Sequence, residues 1–285
     1  MAPVRDILER RFVGAFANPV LSRPMARIAD LRLPRPVLRQ LIAAWVRAYK
    51  VDLSEIADPV DSYPTFNAFF TRRLREGARP IARERGTIVS PTDSRVNSIG
   101  AIPAGGRLDQ VKGRSYLVEK LLGDPAEAAL FASGVHATLY LSPAMYHRVH
   151  SPVDGRVRAW RYIPGRLFPV NVMAVRHVDG LFTVNERVVV HIDSEEFGRV
   201  AVIMVGAANV GRMTLAFHHL VTNRGGPPAL IVPPEPIPIA RGEELGAFNL
   251  GSTVVLLVAE PRLHAADVVE GDLVRMGQAL WRRDV

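Results

Sequence analysis

The sequence predicts an α+β fold: a mainly antiparallel β core with amphipathic helices at its N-terminus. Three observations carry the prediction. From Ile88 onward the apolar runs are short and are broken by Gly, Pro, Asp and Asn, which is how strands and turns alternate. Before residue 50 the apolar side chains instead recur at helical spacing. Apolar residues also make up 48% of the 285, enough to fill the core of one large domain or of a domain with an appendage.

Taken in order, Arg5 to Phe16 mixes Ile7, Leu8, Phe12, Val13 and Phe16 with Arg5, Arg10 and Arg11, and Pro19 and Pro24 interrupt the helical pattern after it. A second helix is expected where Val37, Leu38, Leu41, Ile42, Trp45, Val46 and Tyr49 share one face, with Arg39, Arg47 and Lys50 between them. Such a helix packs on its own domain or lies in a membrane interface, and the two readings weigh equally. No apolar run is long enough to cross a bilayer, and the opening residues lack the apolar stretch of a signal peptide. The expected division is a helical region over 1–50, membrane-associating on the second of those readings, and a β-rich domain over 51–285 that would carry any chemistry. Phe66, Phe69 and Phe70 are read as core, and one helix is expected over Val118–Ala132. Strands are expected at Val135–Leu141, Gly155–Tyr162, Val188–Ile192, Val200–Val205, Val254–Val258 and within Leu273–Trp281. Six prolines between Pro227 and Pro238 mark an extended loop. Phe248-Asn249-Leu250-Gly251 reads as an irregular segment feeding the strand at Val254.

Composition removes several chemistries. With no cysteine there is no disulfide, no thiolate metal site and no cysteine nucleophile. The net charge of +8 comes almost wholly from arginine, the only lysines being Lys50, Lys112 and Lys120. Genome composition explains most of that bias. The remainder suits an anionic lipid surface, since no nucleic-acid-binding motif is present and no nucleic-acid partner is expected. So few lysines leave little choice for a pyridoxal phosphate Schiff base. Gly206-Ala207-Ala208-Asn209-Val210-Gly211 is followed by Arg212-Met213 rather than Lys-Ser/Thr, so it is not a nucleotide loop.

Four groups are candidates for chemistry. Ser252 lies beside the Gly251 carbonyl, so its hydroxyl needs only the right torsion and a base to attack the peptide bond on its own amino side. His147 and His150, close together in a proline-flanked loop, suit acid–base work near neutrality. Asp93, in the turn Ser90-Pro91-Thr92-Asp93, is either a turn residue or the carboxylate that orients a histidine. A metal is the weaker reading of the histidines, with His191, His218 and His219 only loosely spaced as further ligands, so no metal is expected. Asn185-Glu186-Arg187-Val188 reads as a hairpin turn.

In order along the chain, Phe66-Asn67…Phe69-Phe70, Pro91…Asp93, His147-Arg148-Val149-His150, Asn185-Glu186-Arg187, Val205-Gly206-Ala207…Asn209-Val210-Gly211 and Gly246…Phe248…Leu250-Gly251-Ser252-Thr253 together resemble the phosphatidylserine decarboxylase proenzymes. The resemblance covers roughly residues 60 to 260. It implies a zymogen that cuts itself between Gly251 and Ser252 and converts Ser252 into a pyruvoyl group, the built-in cofactor of a lyase. Asp93 and His150 would activate Ser252, and His147 would move a proton in the later decarboxylation. The products, residues 1–251 and 252–285, would stay together as a heterodimer, with further oligomerisation open. Phosphatidylserine would be the substrate and phosphatidylethanolamine the product, at the cytoplasmic face of the cell membrane and peripherally bound. The turn reads Asp93-Ser94 where the family often has Asp-Gly, which spares the carboxylate. The alternative is a non-cleaving lipid-binding or carrier-type β module, suggested by Val153-Asp154-Gly155-Arg156-Val157 and Gly271…Gly277-Gln278.

Overall fold

A computed structural model describes residues 27–111, 114–170, 172–207, 212–249 and 252–283. The helix expected at Arg5–Phe16 lies outside the described residues, as do Leu250 and Gly251. The strands, in chain order, are β1 (Thr87–Val89), β2 (Ser94–Ala101), β3 (Arg107–Val111), β4 (Arg114–Leu117), β5 (Val135–Leu141) and β6 (Arg148–His150). They continue as β7 (Gly155–Ile163), β8 (Arg187–Ser194), β9 (Gly198–Gly206), β10 (Arg212–Leu215), β11 (Ala229–Ile231) and β12 (Ile237–Ile239). The last are β13 (Glu244–Asn249), β14 (Ser252–Val258), β15 (Leu263–Ala265), β16 (Leu273–Val274) and β17 (Ala279–Arg283). Nine of them form the main sheet in the order β11-β7-β8-β9-β14-β5-β2-β16, with β12 also on β7. A smaller sheet runs β10-β13-β6. The pairings of both sheets are antiparallel, in line with the sequence-based expectation.

Centrality explains the apolar run at Val254–Val258. β14 pairs along its whole length with β5 on one side and β9 on the other. Val254, Leu256 and Val258 enter one hydrophobic cluster, whereas Val255 and Leu257 enter a second on the opposite face. A strand covered on both faces has no polar side to show, so alternation disappears from its sequence. Each of these five side chains is fully buried and contributes roughly 1.5–3 kcal/mol.

The helices are α1 (Arg35–Tyr49), α2 (Phe66–Phe70), α3 (Val118–Leu122), α4 (Pro125–Ala129), α5 (Val172–His177) and α6 (Leu181–Val184). α1 turns Leu38 and Ile42 inward, and Trp45 packs edge-on against Phe66 and Phe70 of α2, with ring centroids 5.1 and 6.0 Å apart. Val37 and Leu41, flanking that buried stripe, stay exposed.

Four expectations are corrected. The single helix over Val118–Ala132 is two, because Gly123 ends α3 in the left-handed conformation (φ 69°) and Asp124 caps α4 ahead of Pro125. The proline-rich loop holds β11 and β12, which add edge pairing to β7. Asn185-Glu186-Arg187-Val188 is no hairpin turn: Asn185 caps the end of α6 and Arg187 opens β8. Phe248-Asn249 is not irregular either, since both belong to β13.

Candidate active site at the β13–β14 junction

Ser252 is the first residue of β14, and its backbone is registered opposite Leu141 of β5 and Gly206 of β9. Gly206 is itself anchored. Asn185, fully buried, donates from Nδ2 to the Gly206 carbonyl at 2.9 Å, while the Gly206 N–H donates to the Glu186 carbonyl at 2.8 Å. Arg187 in turn fixes this corner, giving its guanidinium to the carbonyls of Lys120, Leu121, Thr183 and Asn185.

On the amino side of the junction, Asn249 ends β13 inside a polar network. The Asn67 Nδ2 of α2 donates to Asn249 Oδ1 and to Asp30 Oδ1, each at 2.9 Å. Arg212 of β10 donates to the same Asn249 oxygen at 3.2 Å and forms an ion pair with Asp30. From the sequence alone, Asn67 sits among core aromatics and Asn249 has no role of its own. The available signal is an asparagine at each place where an otherwise apolar pattern is interrupted.

The histidine loop runs from β5 into β6 and lies against α2. His150 is buried, with Nδ1 2.8 Å from the Gly242 carbonyl and Nε2 3.0 Å from the Tyr146 hydroxyl. A carbonyl only accepts, so Nδ1 carries the proton and Nε2 accepts from Tyr146. Burial lowers the His150 pKa, keeping the ring neutral. His147 is 0% exposed and has the same tautomer, because Nδ1 faces the Met145 carbonyl at 2.8 Å. Its Nε2 has no hydrogen-bond partner among the described residues, and Phe70 covers the ring at 4.1 Å. Burial holds the His147 pKa down to about 3.

Asp93 is placed beside the loop but is occupied elsewhere. Its carboxylate accepts two bonds from Arg79, at 2.8 and 2.6 Å, and one from the Met276 N–H at 2.9 Å. No hydrogen bond joins it to the His150 ring among the described residues. The link is through the backbone, His150 N–H to the Pro91 carbonyl at 2.9 Å, and through the field of the carboxylate. Asp93, Arg79, Tyr146 and Arg72 line a cleft of about 430 Å³ that also takes in Tyr140 and Ser142, either side of the Leu141 opposite Ser252. Among the described residues no group of three or more His, Asp or Glu side chains could hold a metal.

The region is a β-rich domain with Ser252 at the head of its central strand and two buried histidines, His147 and His150, on the loop into and along β6. Comparison with known proteins makes the class specific. The family model described as phosphatidylserine decarboxylase matches residues 66–282. A phosphatidylserine decarboxylase proenzyme of Anaeromyxobacter sp. (strain K) is 44% identical over 280 residues, covering 95% of this chain and 98% of the relative. Those of Myxococcus xanthus and Bordetella pertussis are 39% and 43% identical, over 91% and 92% of this chain and 92% and 89% of theirs. The chain belongs to the phosphatidylserine decarboxylase family.

Proposed function

We propose that the chain is a self-processing decarboxylase that converts phosphatidylserine to phosphatidylethanolamine with release of carbon dioxide. The observation that carries this reading is the family match over residues 66–282, a span in which Ser252 heads the central strand and His147 and His150 are buried. The Ser252 hydroxyl attacks the Gly251 carbonyl and forms an ester in place of the amide; removal of the Ser252 α-proton then expels the Gly251 carboxylate. His150 is the base for this step, through the one ring nitrogen that carries no proton. Asp93 supports it by charge and by holding the turn on which the His150 backbone rests. In this arrangement the Tyr146 hydroxyl must give way before Nε2 can serve Ser252.

The dehydroalanine left at Ser252 would take up water and release ammonia to give a pyruvoyl group, and the surroundings fit that group. The head of β14 is fixed from both sides, and the Nε2 of His147 is buried and unpartnered among the described residues. When present, that group supplies an electron sink for the pair left behind as carbon dioxide departs. His147 handles the proton. Because Nδ1 is committed to Met145, Nε2 must accept a proton before it can deliver one.

Membrane attachment is peripheral. No described helix is long and apolar enough to cross a bilayer. α1 instead presents Val37 and Leu41 among Arg35 and Arg39, suited to the cytoplasmic face of an anionic membrane. A non-cleaving lipid-binding module is not favoured, because the family match runs through the whole β core.

Intact-mass measurement is the direct test. Active wild-type protein should appear as two pieces ending at 251 and starting at 252, the smaller one reactive toward a hydrazine. Ser252→Ala should remain one full-length species and release no carbon dioxide from phosphatidylserine vesicles. Active wild-type material with an unbroken chain would overturn the reading.

A further inference from the structure

Arg72, just beyond α2, is a buried arginine that the chemistry above leaves unused. It is 4% exposed. Its Nη2 donates to the carbonyls of Ala144 and Met145, at 2.9 and 3.3 Å. The Met145 oxygen is the same atom that receives Nδ1 of His147 at 2.8 Å. Nε and Nη1 of Arg72 have no hydrogen-bond partner, and no carboxylate pairs with the guanidinium among the described residues. The Phe69 ring lies 5.5 Å from it instead. The loop reciprocates, since Arg148 donates from Nε to the Thr71 carbonyl at 2.9 Å.

If Arg72 only propped the loop, a neutral donor would do so without burying a charge. Burial of an unpaired ion costs several kcal/mol, so the charge itself calls for a use. We propose that Arg72 is a positioning residue for His147, locking the imidazole through the shared Met145 carbonyl with Nδ1 protonated and Nε2 open to the reacting group. The inference rests on the role given to His147 above. The guanidinium also opposes a second proton on the ring, after burial itself, the larger influence. The other elements against His147 bring no charge to it: α2 offers the Phe70 ring, and β13 meets its carbonyl with the Phe248 N–H.

The test is ¹⁵N NMR of the His147 ring in the uncleaved Ser252→Ala protein, a readout independent of processing and turnover. The parent should show the neutral, Nδ1-protonated pattern from pH 8 down to 5. Arg72→Gln, which removes the charge, should mix the two tautomers and move the titration up, read by extending the series to the lowest pH at which the protein stays folded. Arg72→Lys keeps the charge but loses the planar guanidinium that aims Nη2 at the Ala144 and Met145 carbonyls, so it should mix the tautomers without that rise. In processed enzyme, Arg72→Gln should lower kcat about 10- to 100-fold with KM little changed. An Arg72→Gln protein with the parent's ring signals and titration would overturn the proposal. So would a parent His147 protonated on Nε2, or an Arg72→Lys protein with the parent's tautomer, and these two decide the matter if the glutamine variant does not fold. Failure of the wild type to cleave would sink the function proposed above and leave the ring measurement intact.

Discussion

Asp93 meets two demands with one carboxylate. Its oxygens neutralise Arg79, a side chain that also reaches Glu55 at 2.8 Å, and one of them caps the Met276 N–H. The proposed aid to His150 is therefore delivered at a distance, from a group whose position an ion pair fixes. Asp93→Asn keeps the shape and removes the charge. The variant should lose on the order of 2–3 kcal/mol, because a buried guanidinium keeps only one of its two carboxylates. It should also self-cleave more slowly. Thermal melting and a processing time course check the two effects separately; an unshifted melt would mean that the pair is energetically idle.

At the scale of elements, the junction between β13 and β14 is held by side chains rather than by the sheet alone. Asn249 is the last described residue before it, tied to α2 through Asn67 and to β10 through Arg212. β10 and β13 lie close: a Cβ on Gly246 would stand 2.2 Å from the Thr214 carbonyl oxygen. Asn249→Ala strips the network of its central acceptor. Loss of buried hydrogen bonds worth about 1–3 kcal/mol should slow self-cleavage roughly 10- to 100-fold. Adding Asn67→Ala should then cost little more, as expected for two members of one network. Gel densitometry of precursor and product over time measures both, and additive slowing would argue against a shared network.

Two properties belong to the whole molecule. The first is acid sensitivity. Burial is the largest influence on His136, His147 and His191, and holds them at about 4, 3 and 4, far below the range of an exposed imidazole. Below about pH 6.5 the unfolded chain takes up protons that the folded chain refuses. Stability therefore rises with pH between about 4 and 6.5, by up to about 1.4 kcal/mol per pH unit for each histidine, and this contribution stops growing above that window. Urea midpoints at pH 5, 6 and 7.5 should show the decline toward acid, and His136→Gln should make it shallower; a midpoint that does not move would contradict the assignment. The second property is attachment to lipid. Val37 and Leu41 are exposed on α1 while Leu38 and Ile42 hold it to the domain. Replacing Val37 and Leu41 with serine should leave the melt nearly unchanged and weaken co-sedimentation with anionic vesicles at least about tenfold. Undiminished binding would place the contact elsewhere.

Local chemistry makes much of this protein legible in its residue order. The unbroken run at Val254–Val258, the helical stripe from Val37 to Tyr49 and the turn-punctuated β pattern reflect burial and periodicity within short windows. The ordered motifs single out Asp93, His147, His150 and Ser252 without any knowledge of where the backbone runs. Where the pattern is too short or too interrupted to read, as at Phe248-Asn249 or across Gly123, the assignment fails, because pairing with a distant strand or a single left-handed residue decides such places. Only the tertiary structure joins Asn67 to Asn249, 182 residues apart, and Met276 to Asp93, 183 apart. It alone places Arg72 on the carbonyl that orients His147. A hydrogen bond between side chains depends on where two backbones come to rest, and that is settled by the packing of the whole sheet and its helices, not by the order of residues around either partner.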